Sequence, residues 1–194
     1  MDAANDAGGS ADRPRGPAGG NSPAENQLRR ISQTGAALRG AARDAGTNAR
    51  SRRSHVCRAW PSLNALDTNV LVRLIVGDDR IQEAQARALI EAEPVLVPLT
   101  VTLECEWVLR SFYKRSPLQI AAAFDALTDV ANLVFEHLSG VRWALDRLIA
   151  GADFADMIHI VQADAAGATG FATFDAAIEH AAGAASPVPA ITIR

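Results

Sequence analysis

Four carboxylates stand where the apolar rhythm of the chain breaks. Asp67 closes the run Leu63–Asp67 and Asp175 closes Gly170–Asp175. Glu104 follows the segment Pro98–Thr102, and Asp156 follows Asp153 at the start of a helical pattern. Asp153 and Asp156 are three apart, which puts them on one helical face, near an N-terminus whose unpaired N–H groups favour negative charge. Carboxylates converging at one end of a sheet repel one another unless cations sit between them. Hard oxygen donors without supporting His or Cys suit Mg2+ or Mn2+ rather than zinc.

Taken singly, each residue has a plainer role. Asp67 serves equally as the cap of the following helix, and Asp153 as a cap with Asp156 as its first-turn partner. Glu104 reads also as a solvated helix position like Glu106, and Asp175 as a turn residue before a short helix. The set gains weight because all of them fall at predicted strand ends or helix starts, and no other catalytic constellation competes. Asn69 and Thr173, two residues from Asp67 and Asp175, are short polar groups suited to orienting ligands or water. Turn and cap hydrogen bonding is their alternative role. His159 lies between Ile158 and Ile160, where a packed or hydrogen-bonded imidazole is expected rather than a ligand. Trp107 and Trp143 are expected in the core or at a subunit interface, without the basic, aromatic-interleaved surroundings of a stacking platform.

The elements that must position these groups alternate. Strands are predicted over Leu63–Asp67, Val95–Pro98, Leu133–Glu136, Gly170–Asp175 and Ala190–Ile193. Helices are predicted over Asn69–Val76, Arg80–Ala92, a segment capped by Thr100 or Thr102 and reaching about Tyr113, Leu118–Val130, Val141–Ala150, Asp153–Ala166 and Ala176–Ala182. Ser116-Pro117 is an N-cap followed by proline at the first helical position. Alternation with short connections implies an α/β fold, a central, mostly parallel sheet flanked by helices on both faces. In such sheets ligands bind beyond the carboxyl ends of the strands, where Asp67 and Asp175 are placed.

The chain of 194 residues has a formal net charge of −3, but this average hides a division. Residues 1–60 carry 10 Arg, no Lys and five acidic residues, a net of +5, whereas the rest holds nine basic and 17 acidic residues, a net of −8. The first segment, rich in Gly, Ala, Ser, Asn, Asp and Arg, cannot bury enough apolar surface to offset its ordering entropy. Residues 1–62 are therefore expected to form a disordered basic tail, with a short weak helix around Asn26–Arg39. Its cluster Arg50, Arg52, Arg53 and Arg58 reads either as a nucleic-acid arm or as an upstream extension from too early a start codon. Residues 63–194 are expected to form the folded domain. Two cysteines give no disulfide framework, no apolar run approaches the ~20 residues of a membrane span, and no signal-peptide core is present. A cytoplasmic location away from membranes is expected.

LDTNVLVRLI, VTLECEWVLRSFY, GADFADMIHIVQA and ATFD resemble, in order and approximate spacing, the four signature segments of PIN-domain proteins in their VapC toxin subgroup. The resemblance covers roughly residues 63–194 and implies a PIN-like fold and endoribonuclease activity. Carried over residue by residue, it implies a catalytic metal site of Asp67, Glu104, Asp156 and Asp175 holding Mg2+ or Mn2+, with Asp153 at its rim. It implies fragments bearing a 5′-phosphate and a 3′-hydroxyl, a homodimer, and a small antitoxin protein that silences the enzyme. RNA held against an acidic domain needs basic residues near the cleft, for which Arg73, Arg110, Lys114 and Arg115 are candidates. Two rivals stand beside this reading. One is a PIN-like module that binds RNA or antitoxin without cutting. The other is a strand-end-Asp phosphatase, which wants a second Asp where Asn69 stands.

Overall fold

A computed structural model of the chain describes residues 63–194, so the expectations for the basic tail lie outside the described residues. Five short strands alternate with seven helices among them. These are β1 (Asn64–Ala65), α1 (Thr68–Val76), α2 (Arg80–Ala92), β2 (Val95–Val97), α3 (Leu99–Ser111) and α4 (Pro117–Thr128). There follow β3 (Leu133–Phe135), α5 (Leu138–Ile149), α6 (Phe154–Ala165), β4 (Phe171–Thr173), α7 (Ala176–Ala182) and β5 (Ala190–Thr192). The fold is α/β with parallel strands, as the alternation predicts.

Every strand pairing is parallel, in the order β1-β2-β3 with β4-β5 as a separate pair. One continuous sheet is expected from the sequence, but here it is split. β1, the edge of the three-stranded sheet, is only two residues long, both exposed, and β4 pairs with β5 alone. The C-terminal unit attaches instead through packing of α7 on α6, with the Arg147 guanidinium of α5 beside Gly183. Alternation is clear in β2 and β3, where the outer residues of each strand are buried and the middle one is partly covered.

Because β1, β2 and β3 are parallel and in register, their carboxyl ends lie side by side. Leu66 N–H donates to Leu96 and Glu136 N–H to Val97, so Asp67, Pro98 and Glu136 leave the sheet along one edge. α3 begins at that edge. Proline at its N-cap brings no capping side chain, and neither Thr100 nor Thr102 fills the role. Thr102 is fully buried, with its hydroxyl turned back to the Pro98 carbonyl. The carboxylate of Glu136 accepts from Leu99 N–H at 2.8 Å and caps the helix from across the sheet.

Helix α6, which carries Asp153 and Asp156 at its start, is pinned by its apolar face. Phe154, Met157, Ile158, Ile160 and Val161 are all buried, each worth ~1.5–3 kcal/mol of transfer free energy. Phe154 also stacks on Phe124, which meets Phe135 edge-on, tying α6 to α4 and β3. On the opposite flank Gly140 lets α5 approach so closely that a Cβ there would lie 2.4 Å from Val161 Cγ1.

Candidate metal-binding active site

Asp67 is the N-cap of α1, and the cap and ligand roles are compatible in one side chain. Its Oδ2 accepts from Asn69 N–H at 3.4 Å and from Asn69 Nδ2 at 3.3 Å, leaving Oδ1 without a protein donor among the described residues. Asp175 caps α7 in the same manner. Its Oδ1 accepts from Ala177 N–H at 2.8 Å, and its own N–H donates to Thr173 Oγ1 at 3.0 Å. Asn69 and Thr173 thus orient the two aspartates through the turn hydrogen bonds expected of them.

Glu104 is the sixth residue of α3, one turn later than the sequence suggests, because the helix begins at Leu99. It is exposed, and its Oε2 accepts from Thr68 Oγ1 at 2.6 Å. Thr68 is 5% exposed, so its hydroxyl is a fixed donor that ties Glu104 to the end of β1 beside Asp67. This contact spans 36 residues, and nothing local in the sequence marks it. Glu106, expected to be solvated, is instead buried, 1% exposed, and paired with Arg110 through Oε1 and Nε at 2.8 Å.

Asp153 caps α6 through Oδ1 to Ala155 N–H at 2.8 Å. Burial raises the pKa of Asp156 above the ordinary carboxylate value, the charges of Asp153 and Asp175 raise it further, and His159 opposes them. Packing of α7 on α6 brings Asp175, the N-cap of α7, to the side of α6. His159 is exposed rather than packed as expected. Cys105, between Glu104 and Glu106, is fully buried, and burial with the neighbouring glutamate charges pushes its thiol far up, so it is inert as ligand or nucleophile.

Among the described residues, no three His, Cys, Asp or Glu side chains close round a common point. The donor set nonetheless fits a hard cation of the Mg2+ kind, which keeps several waters and takes only one or two carboxylates directly. Asp67, Glu104 and Asp175 each commit one oxygen to a positioning hydrogen bond and present the other. Asp156 adds a carboxylate whose charge is disfavoured until a cation arrives.

A family model described as PIN domain matches residues 65–184. The chain belongs to the PIN-domain family. The matched span begins in β1 and ends just beyond α7, so it takes in all four carboxylates. PIN domains are generally nucleases and typically use divalent metals, in keeping with this donor set. No curated protein and no solved structure matches the chain.

The basic candidates fare unequally in this PIN domain. Arg73 is engaged, its Nη1 to Asp78 at 2.5 Å and its Nε to Gln82 at 2.8 Å, so it braces α1 against the start of α2. Lys114 and Arg115 lie beyond the far end of α3, at least ~10 Å along its axis from Glu104. Arg110, its side chain 47% exposed and paired with Glu106, lines the same cavity as Glu104.

Proposed function

We propose that this PIN domain is a divalent-metal-dependent endoribonuclease, the toxin component of a VapC-type toxin–antitoxin pair. The observation that supports it is the division of labour within the carboxylates. Asp67, Glu104 and Asp175 are each held by one oxygen, beside an Asp156 whose ionisation burial and like charge oppose. A module that only bound RNA would gain nothing from such a set, which repels phosphate unless a cation intervenes.

Bound Mg2+ or Mn2+ would neutralise charge on the scissile phosphodiester and lower the pKa of water. The chain's own contribution is to hold the donors still. Asn69 fixes Asp67, Thr68 fixes Glu104, and the amide ends of α6 and α7 fix Asp153 and Asp175. Arg110, braced by Glu106, presents its remaining N–H groups to an RNA phosphate at the rim.

The resemblance to VapC toxins supports the finer reading: a cytoplasmic homodimer silenced by a small antitoxin that places a basic side chain in the acidic site. The test joins both halves. Purified protein with Mg2+ should release RNA fragments bearing 5′-phosphate and 3′-hydroxyl ends, and a small protein encoded beside it should abolish cleavage when co-purified. Fragments ending in cyclic phosphate would refute the metal mechanism, and an orphan gene would remove the toxin reading while leaving the nuclease.

A further inference from the structure

A groove of about 390 Å3 runs between α4 and α5, and none of the four carboxylates lines it. Helix α4 contributes Leu118, Ala121, Ala122 and Asp125, and α5 contributes Arg142, Leu145, Asp146 and Ile149. Each set is spaced i, i+3, i+4, i+7, so each helix turns one continuous stripe to the gap. Arg142, near the start of α5, donates to Thr128 Oγ1 at the end of α4 at 3.0 Å, so the helices run antiparallel and Leu118 stands across from Ile149. Those two side chains are 66% and 50% exposed. Arg142 also stands 4.0 Å from Asp129, whereas Asp125 and Asp146 are exposed and take no ion pair among the described residues. The groove is an apolar channel with an acidic rim, a shape that accepts the ridge of a third helix.

We propose that the chain's own segment Asn26–Arg39 docks in this groove as an amphipathic helix. In the sequence Leu28, Ile31 and Leu38 fall at i, i+3 and i+10, with Gly35 completing the stripe at i+7. Start and stop signals flank the segment. Ser22-Pro23 with Glu25 repeats the arrangement of Ser116-Pro117 with Gln119 that opens α4, and Gly40 follows the last apolar turn. A helix with glycine in its interior and Ser32 and Thr34 beside it is marginal alone, so it needs a surface to fold on. Arg29, Arg30 and Arg39 flank the stripe and no acidic residue lies within the segment, which complements the rim of Asp125 and Asp146. Residues 40–62 tether it to β1, and a coil of that length spans roughly 25 Å, which holds the segment at an effective concentration in the millimolar range. A second copy or a separate protein has no such advantage. This contact stands independently of the nuclease reading.

The test is hydrogen–deuterium exchange of the full-length chain, read by mass spectrometry on peptides covering residues 26–39. In the wild type these amides should exchange about 10-fold or more slowly than in the isolated peptide. Leu118→Asp and Ile149→Asp change exposed side chains and should leave Tm within about 2 °C, yet each should return the segment to the free rate. Leu28→Asp/Ile31→Asp should do the same from the other side of the contact and should speed exchange at the start of α4. Asp125→Asn/Asp146→Asn should lower the protection about threefold at low salt and have little effect at about 1 M salt, where the charges are screened. Ile81→Asp, at a site 73% exposed on α2, should leave the protection as in wild type.

Exchange of residues 26–39 at the free rate in the wild type overturns the contact, and so does protection that survives in both groove variants. Protection that fades on dilution, with a halving of molar mass in light scattering, overturns the intramolecular contact and assigns the groove to a second copy. Leu28→Asp/Ile31→Asp alters no residue of the described fold, so unchanged exchange at the start of α4 in that variant overturns the contact even where a groove variant is unstable.

Discussion

Replacing Thr68 by valine removes one hydroxyl and changes almost nothing else in size. In the native chain that hydroxyl, 5% exposed, donates to Glu104 Oε2 at 2.6 Å. A hydrogen bond to a charged acceptor contributes about 1.5–3 kcal/mol, and the lower half applies here because Glu104 is exposed and water can replace part of the loss. At 1.4 kcal/mol per tenfold, a weakening of roughly 10-fold is expected in metal affinity, with cleavage falling by 10-fold to 100-fold, the usual cost of losing a partner that orients a ligand. Global stability should fall by about 1.5–2 kcal/mol, the contribution of the lost hydrogen bond, since valine otherwise fills the same space. The assay is a Mn2+ titration followed by calorimetry, paired with initial cleavage rates, on Thr68→Val, Thr68→Ser and wild type. Thr68→Ser keeps the donor and should stay within about threefold of wild type. A folded Thr68→Val with wild-type metal affinity and cleavage would refute the claim that Glu104 is held for metal by Thr68.

Three further outcomes follow from the packing. Gly140→Ala drives a Cβ into Val161 and should cost about 1–3 kcal/mol in denaturant unfolding, relieved in Gly140→Ala/Val161→Ala; an unchanged midpoint would contradict the close approach of α5 and α6. Glu136→Ala uncaps α3 and should lower stability by about 1 kcal/mol with a larger fractional loss of cleavage, whereas Glu136→Gln, which keeps an acceptor oxygen, should restore most of both. Burial opposes ionisation of Asp78, but hydrogen bonds from Tyr113 and Arg73 hold its pKa below the ordinary 3.8. Its stabilising contribution is therefore complete above that value and lost as pH falls through the lowered pKa. Tyr113→Phe should accordingly lower Tm by ~1–3 °C at pH 7, discounted for an exposed pair, with the difference shrinking in acid. A difference that grew in acid would contradict the sign.

The parts of this site that are written locally were legible in the sequence. Asp67, Asp153 and Asp175 each precede a helix by one residue, and each caps it through a contact two residues long. Ser116 and Gln119 form the capping box that Ser-Pro announces. What escaped depends on distant partners. The cap of α3 comes from Glu136, 37 residues away, whereas the local sequence offers only the hydroxyls of Thr100 and Thr102. Thr68 carries no local mark, because its orientation toward Glu104 exists only once β1 and β2 are side by side. Glu104 and Glu106 were indistinguishable by type. Their opposite burial is set by the phase of α3 against α6, which a helix of alternating Thr, Leu, Glu and Val hides. The split of the sheet also lay beyond periodicity, since the strand pattern over Leu63–Asp67 yields only two paired residues.

The central claim is that these carboxylates hold a divalent cation for RNA cleavage. It is tested most directly by incubating total cellular RNA with the full-length chain, with and without Mg2+ or Mn2+, beside Asp67→Ala and Asp175→Ala of equal folded content. Discrete fragments that require metal and vanish in both variants are predicted. Cleavage that survives in chelator or in either variant, or a folded wild type that leaves RNA intact with every metal, would contradict the account.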